Sequence, residues 1–194
     1  MNESPFVSRA GLKLEHALNT FDFDVTGLSC ADLGCNVGGF TDCLLQRGAS
    51  QVYAVDTGYG TLEWKLRNDD RVETLERTNA LHVEPPARVD LVVIDLGWTP
   101  QKFALPAGLK WVERGHIITL VKPHYELTEA EKRSESVAEG LSQEAIQQTL
   151  DRVKETCSSL NLEICGETIS PLKGKKSSRK GEGNREYLLL LKTP

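Results

Sequence analysis

Strand-like apolar runs alternate with helix-like segments along most of this chain, and that alternation restricts the fold more than any other feature. The strand-like runs are Ser29–Leu33, Gln51–Val55, Val72–Glu76, Leu91–Ile94, Ile117–Val121, Leu162–Thr168 and Glu186–Leu191. Helices are predicted at Ser8–Phe21 and Ser142–Leu160, where apolar residues recur every three or four positions. Because strands that alternate with helices pair in parallel, the sequence predicts an α/β fold. We expect one domain over residues 1–194, with a seven-stranded, mostly parallel sheet and helices on both faces.

Bulk properties exclude several classes of protein. The net charge of −5 argues against a chain that coats nucleic acid over its whole surface. Apolar runs such as Ile117–Val121 are too short to cross a bilayer, and the start of the chain shows no secretory signal, so we expect a cytoplasmic protein without a membrane partner. The five cysteines form no C-x-x-C pair and the four histidines have no metal-ligand spacing, so we expect no metal site.

A glycine-rich loop follows the first predicted strand and opens a helix. Its glycines, Gly34, Gly38 and Gly39, are spaced G-x-x-x-G-G, and Asp32 lies two positions before the first. A dinucleotide fingerprint has a different spacing and holds a pyrophosphate, which a carboxylate at Asp32 would repel. That carboxylate suits the ammonium of a methionine moiety, while Asp56, at the end of the second strand, can accept hydrogen bonds from ribose hydroxyls. The loop therefore favours S-adenosyl-L-methionine over a dinucleotide.

The residues assigned to this cofactor site surround the loop and the ends of the first four strands. They are Asp32, Gly34, Cys35, Asn36, Gly38, Gly39, Asp56, Asn79 and Asp95. Asn79 is the candidate for a contact with the adenine ring, and an ordinary turn residue is the alternative interpretation.

Motifs along nearly the whole chain resemble, in the same order, those of the FtsJ-like RNA ribose 2′-O-methyltransferases, and most closely their TlyA (hemolysin A) branch. The matching segments are Ser8–Leu14, Gly38–Leu45, Val52–Asp56, Trp64–Arg67, Leu91–Asp95, Leu120–Pro123 and Gly183–Tyr187. The resemblance implies a Rossmann-like class I methyltransferase fold, S-adenosyl-L-methionine as methyl donor and RNA, in particular ribosomal RNA, as substrate. It also implies a Lys-Asp-Lys-Glu catalytic tetrad at Lys13, Asp95, Lys122 and Glu186.

The chemistry of methyl transfer agrees with that tetrad, because a ribose hydroxyl is a poor nucleophile until its proton is removed. Lys122 follows a buried strand, where an unpaired ammonium would be costly, and Asp95 is its natural partner. Burial and the nearby cation Lys13 would favour a neutral amine that can act as base. A purely structural ion pair between Asp95 and Lys122 is the alternative.

Three departures from the family pattern concern the substrate. The chain begins only a few residues before the first motif, so we expect it to lack the S4 RNA-binding module of typical members, which leaves room for a partner that adds RNA affinity. Gly97-Trp98 stands where the family tends to have Ser-Phe, and a charged loop, Thr128–Gly140, replaces a glycine-rich stretch. Trp98 is a candidate for stacking on a nucleotide base, with simple packing as the alternative.

A basic segment over residues 173–185 joins the last two predicted strands. It carries six positive charges and one negative charge in an acidic chain. We expect its cations to bind RNA phosphates: Lys173, Lys175, Lys176, Arg179, Lys180 and Arg185. A solvated hairpin tip is the alternative.

Other functions stay open from sequence alone. A protein of this fold could be a non-catalytic cofactor- or RNA-binding module, although all four tetrad residues are present. A haemolysin-like activity is a further alternative, although the sequence shows no amphipathic or transmembrane element for it. The sequence leaves open which RNA and nucleotide are modified, and the oligomeric state.

Overall fold

The computed structural model describes residues 4–134, 141–174 and 184–194. Its strands are β1 (Ser29–Leu33), β2 (Gln51–Val55), β3 (Val72–Leu75), β4 (Leu91–Ile94), β5 (His116–Val121), β6 (Glu163–Ile169) and β7 (Tyr187–Lys192). They form one seven-stranded sheet in the order β3-β2-β1-β4-β5-β7-β6. Strands β1 to β5 pair in parallel, whereas β7 runs antiparallel to both β5 and β6. The predicted fold class, an α/β fold with a mostly parallel sheet, is confirmed.

Helices cover both faces of this sheet. They are α1 (Ala10–Thr20), α2 (Gly39–Gln46), α3 (Trp64–Arg67), α4 (Gln101–Leu109), α5 (Pro123–Glu126), α6 (Glu129–Ser134) and α7 (Gln143–Ser159). Leu14 of α1 and Leu44 of α2 pack in one core layer, and Leu105 of α4 and Val153 of α7 pack in the layer on the opposite face. All four residues of β4 are fully buried, as expected for a central parallel strand.

Element boundaries differ from the prediction by one or two residues, and tertiary contacts set them. Glu186 was predicted to open the last strand, but β7 begins at Tyr187, which pairs with Val121 at the end of β5. Glu76 likewise lies just outside β3, and its carboxylate pairs with Arg67. The predicted N-cap of α7 is confirmed, because Ser142 Oγ accepts a hydrogen bond from Ala145 N at 3.1 Å.

The antiparallel return of β7 has a direct consequence for function. Since Tyr187 pairs with Val121, the residue before β7 lies beside the residue that follows β5. The fold thereby brings Glu186 and Lys122 to the same edge of the sheet, where β1 and β4 also end. Within the described ranges, no helix is both long enough and apolar enough to cross a membrane.

Candidate active site

A cavity of about 670 Å³ opens at the carboxyl ends of β1, β4 and β5. Ligands of open α/β sheets bind at this edge. Its walls come from the first turn of α1, the loop after β1, the residues that follow β4 and β5, and the chain on either side of the undescribed stretch between β6 and β7. The cavity therefore draws on segments from the whole length of the sequence.

Two lysine–carboxylate pairs face this cavity. Lys13 Nζ lies 2.5 Å from Glu186 Oε2, and Lys122 Nζ lies 2.5 Å from Asp95 Oδ1. Lys122 also donates to the carbonyl oxygen of Leu96 at 3.3 Å. The side chain of Glu186 is only 4% exposed and that of Lys122 only 12% exposed. The structure thus brings the four predicted tetrad residues together as two largely buried ion pairs lining one cavity.

Asp32 lies at the floor of the same cavity, with a fully buried side chain. Its Oδ2 atom accepts hydrogen bonds from Thr41 N at 3.0 Å and from Thr41 Oγ1 at 2.7 Å. Its Oδ1 atom is buried and has no hydrogen-bond partner among the described residues. Burial raises the pKa of Asp32 to about 7, and the hydrogen bonds from Thr41 oppose that rise. A cationic donor at Oδ1 would satisfy this atom, so the site fits the ammonium of S-adenosylmethionine.

The glycines of the loop after β1 are required by the backbone and by packing. Gly34 has a φ of +94°, and a Cβ there would lie 2.8 Å from the carbonyl oxygen of Asp95. Gly38 has a φ of +100° and precedes α2. A Cβ on Gly39 would lie 2.2 Å from Ser8 Oγ. Gly34 belongs to the lining of the cavity, whereas Gly38 and Gly39 lie behind it and let α2 approach its neighbours.

Other predicted cofactor residues lie around this loop. Cys35 and Asn36 line the cavity. Asp56 Oδ2 accepts from Asn36 N at 2.9 Å and Oδ1 accepts from Gly58 N at 2.7 Å. Each carboxylate oxygen keeps a second lone pair that could accept from a ribose hydroxyl. Asn79 is exposed and accepts a hydrogen bond from Leu81 N at 2.9 Å, as a turn residue does, and neither Asp56 nor Asn79 belongs to the described lining of the cavity.

Three aromatic rings extend outwards from the Lys122–Asp95 pair. His124 and Tyr125 have ring centroids 4.0 Å apart, and Tyr125 and Trp98 have centroids 4.9 Å apart. Trp98 is 85% exposed, and Lys122 Nζ lies 5.6 Å from the centre of the Tyr125 ring. Sequence reasoning singled out Trp98 but missed the other two rings, whose only signal was their position directly after Lys122-Pro123.

Burial and neighbouring charges shift the pKa values of Tyr125 and His124. Burial raises the pKa of Tyr125, and the carboxylates of Glu186 and Asp95 raise it further. Burial and the nearby Lys122 ammonium lower the pKa of His124 to about 4, so this imidazole is neutral at pH 7. This side of the cavity therefore combines two ion pairs with uncharged rings.

The basic segment meets the cavity where its two described ends leave the sheet. Gly174 N donates to the carbonyl oxygen of Asn184 at 2.9 Å, and a Cβ on Gly174 would lie 2.8 Å from Glu186 Oε1. Lys173 lines the cavity, and Arg185 is exposed beside Glu186. The predicted RNA contacts Lys175, Lys176, Arg179 and Lys180 lie outside the described residues.

Comparison with known proteins agrees with this geometry. The family model for FtsJ-like methyltransferases matches residues 6–192. The 16S/23S rRNA (cytidine-2′-O)-methyltransferase TlyA of Mycobacterium tuberculosis is 40% identical over 196 residues, which cover 99% of this chain and 70% of that protein. Hemolysin A of Brachyspira hyodysenteriae is 34% identical, covering 94% of this chain and 75% of its own length.

A solved structure of a hemolysin-like protein from Streptococcus thermophilus superposes with a TM-score of 0.89 at 33% identity, covering 99% of this chain and 68% of that one. The matches to the family model and to these relatives extend over almost every residue that forms the sheet and the cavity. The chain belongs to the FtsJ-like methyltransferase family.

Proposed function

We propose that this protein transfers a methyl group from S-adenosyl-L-methionine to a ribose 2′-hydroxyl of ribosomal RNA. The observation that carries the proposal is the convergence of Lys13–Glu186 and Lys122–Asp95 on one cavity beside the partly unsatisfied Asp32. The name of the mycobacterial relative, which specifies 2′-O-methylation of cytidine in 16S and 23S rRNA, supports the choice of substrate.

The cofactor would lie along the carboxyl ends of β1 and β2. Asp32 would bind its ammonium, Asp56 its ribose hydroxyls and Asn79 its adenine, while Gly34 to Asn36 pass beneath it. Bound S-adenosylmethionine would supply a methyl group carried on a positively charged sulfur. The cationic sulfur and the ammonium are both favoured by a cavity whose floor carries the Asp32 carboxylate.

Lys122 would accept the proton of the ribose hydroxyl as the oxygen forms a bond to the methyl carbon and the sulfur–methyl bond breaks, with the electron pair of the broken bond staying on sulfur. Asp95 holds the Lys122 amine in place at 2.5 Å, and Glu186 holds Lys13 in the same way. Lys13 supplies a second positive charge that stabilises the developing alkoxide. Much of the acceleration would come from holding the hydroxyl in line with the methyl group, because a fixed geometry removes most of the entropic cost of the encounter.

RNA would approach from the open side of the cavity. Lys173 lines the cavity, and Arg185 is exposed next to Glu186 in the chain. The sequence adds four further cations of the basic segment: Lys175, Lys176, Arg179 and Lys180. Trp98, exposed and packed on Tyr125, would stack on a base next to the target ribose.

Labelled methyl transfer tests the proposal. Purified protein is incubated with methyl-labelled S-adenosylmethionine and ribosomal subunits, and the labelled nucleotide is then mapped. We expect a 2′-O-methylated ribose with wild-type protein and no label with Lys122→Ala. Label on a base would overturn the proposed 2′-O-methylation, and cofactor binding without any transfer to RNA would favour a non-catalytic module.

A further inference from the structure

Two large aromatic side chains are exposed on the side of the cavity away from Trp98. Tyr59 is 70% exposed and Trp64 is 73% exposed. Tyr59 lies in the connection that leaves the carboxyl end of β2, and Trp64 is the first residue of α3, which follows it. A single exposed aromatic residue is ordinary, but two within six residues at this edge of the sheet indicate a binding surface.

This connection is joined directly to the cofactor loop. Glu63 N donates to the carbonyl oxygen of Val37 at 3.1 Å, and Val37 lines the cavity. Leu62 and Leu66 pack so closely on Gly38 that a Cβ there would lie 2.6 Å and 2.4 Å from their methyl groups. The exposed aromatic residues are therefore held in a fixed position relative to the cavity.

An arginine completes the surface. The guanidinium carbon of Arg77 lies 4.2 Å from the centre of the Tyr59 ring, and Arg77 N donates to the carbonyl oxygen of Gly58 at 3.0 Å. An arginine stacked on an aromatic ring presents flat faces on which bases can stack, and the guanidinium also attracts phosphate. Glu63 is exposed in the same stretch, so net positive charge alone would not attract RNA here, and stacking is the main contribution.

We propose that Tyr59, Trp64 and Arg77 form a second RNA-contact surface, the β2–α3 rim, on which unpaired nucleotides stack. The proposal rests on the proposed function, since it takes RNA as the substrate. In the strand order, β2 lies beyond β1 at one side of the cavity, whereas Trp98 follows β4, which lies between β1 and β5. An RNA strand whose target ribose reaches Lys122 has neighbouring nucleotides on both sides of that ribose. One direction leads to Trp98 and the other leads across the cofactor loop to the rim.

Binding of a short oligocytidylate tests the rim without requiring turnover. Tyr59→Ala combined with Trp64→Ala should weaken RNA affinity by about tenfold or more, because stacking of bases on aromatic rings contributes much of the affinity for single-stranded RNA. Trp64→Phe, which keeps a ring, should retain most of the affinity. Both variants should bind S-adenosylmethionine with wild-type affinity.

Two exposed arginines provide a matched comparison. Arg77→Ala removes the cation of the rim, whereas Arg114→Ala removes one from the opposite edge of the sheet, just before β5. The first should weaken oligocytidylate binding and the second should leave it unchanged. Equal effects of the two variants would assign the loss to net charge and overturn the stacking surface.

Fluorescence gives a direct readout of stacking. In a Trp98→Phe variant the remaining tryptophans are Trp64 and the fully buried Trp111, so quenching by RNA reports on Trp64. We expect quenching that saturates with RNA binding. If the rim variants keep wild-type RNA affinity and RNA does not quench Trp64 fluorescence, while the protein still methylates RNA, the rim proposal is overturned and the proposed function stands. Loss of cofactor affinity in the rim variants would instead make the rim a cover for the adenosine. A wild-type protein that binds oligocytidylate through the rim but methylates no RNA would refute the proposed function.

Discussion

The affinity for S-adenosylmethionine should depend on pH through Asp32. This side chain is fully buried, burial raises its pKa to about 7, and its Oδ1 atom lacks a partner among the described residues. In the proposed complex, the ammonium of the cofactor pairs with the ionised Asp32 carboxylate, so binding must remove the proton that Asp32 carries at low pH in the free protein. The affinity should therefore increase as the pH rises through 7.

The magnitude follows from the raised pKa. With a pKa of about 7 in the empty site, about a tenth of the protein carries an ionised Asp32 at pH 6 and about nine tenths at pH 8. S-adenosylmethionine should therefore bind about tenfold more tightly at pH 8, a difference of about 1.4 kcal/mol. Calorimetric titration in two buffers of different ionisation enthalpy measures the affinity and counts the released proton.

The same proton affects stability with the opposite sign. Because the pKa of Asp32 is higher in the folded protein than in the unfolded chain, the protonated form stabilises the folded state. That stabilisation is complete below about pH 4 and is lost as the pH rises through about 7. Without cofactor, the melting temperature of wild-type protein should therefore fall between pH 6 and pH 8 relative to that of Asp32→Asn.

Glu126 provides a control that titrates in the same range. Burial raises its pKa to about 7 as well, but Glu126 accepts a hydrogen bond from Gln101 N at 2.9 Å and does not line the cavity. Asp32→Asn should remove the pH dependence of cofactor affinity, whereas Glu126→Gln should keep it. A tenfold dependence that survives in Asp32→Asn, or disappears only in Glu126→Gln, would refute the reasoning.

Four further predictions concern the rest of the site. Lys122→Ala should abolish methyl transfer while S-adenosylmethionine affinity stays within about threefold, and an active variant would exclude Lys122 as the base. Asp56→Ala should weaken cofactor binding by about 1.5–3 kcal/mol in calorimetry, and unchanged affinity would contradict the ribose contact. Gly174→Ala should displace the Glu186 carboxylate and lower kcat about 10- to 100-fold at constant cofactor affinity, whereas a wild-type kcat would exclude that positioning role. Four cations of the basic segment can be replaced together with serine: Lys175, Lys176, Arg179 and Lys180. This change should reduce the slope of log affinity for RNA against log salt concentration by up to about 3, without affecting cofactor affinity. An unaltered slope would contradict RNA binding by the segment and favour a solvated hairpin tip.

Local patterns were sufficient for the parallel part of the sheet. Apolar runs and helical stripes recur over short distances, so the positions of β1 to β5 followed from the sequence to within one residue. The pairing of Asp95 with Lys122 was also predicted from the sequence, because Lys122 follows a buried strand, where an unpaired ammonium would be costly. The structure brings the two side chains together because β4 and β5 are neighbours. Glycine spacing similarly predicted a sharp turn after β1, which the positive φ of Gly34 confirms.

The Lys13–Glu186 pair of the proposed tetrad had no local signal in the sequence. Lys13 and Glu186 lie 173 positions apart, and their pairing depends on α1 packing beside the sheet and on β7 returning antiparallel next to β5. Family resemblance assigned roles to both residues without indicating which carboxylate each lysine would contact. Tyr125, His124 and Gly174 were missed for the same reason, since their significance comes from neighbours that are distant in sequence.

The sequence by itself determined the alternation of strands and helices, the cofactor loop and the residue types that methyl transfer requires. Periodicity and turn chemistry act between residues a few positions apart, so they can be recognised without a fold. Only the tertiary structure decided the strand order, the direction of β7, the Lys13–Glu186 ion pair and the position of the His124 and Tyr125 rings beside the cavity. These features arise from packing between distant segments, where shape, burial and the pairing of buried charges select one arrangement among many.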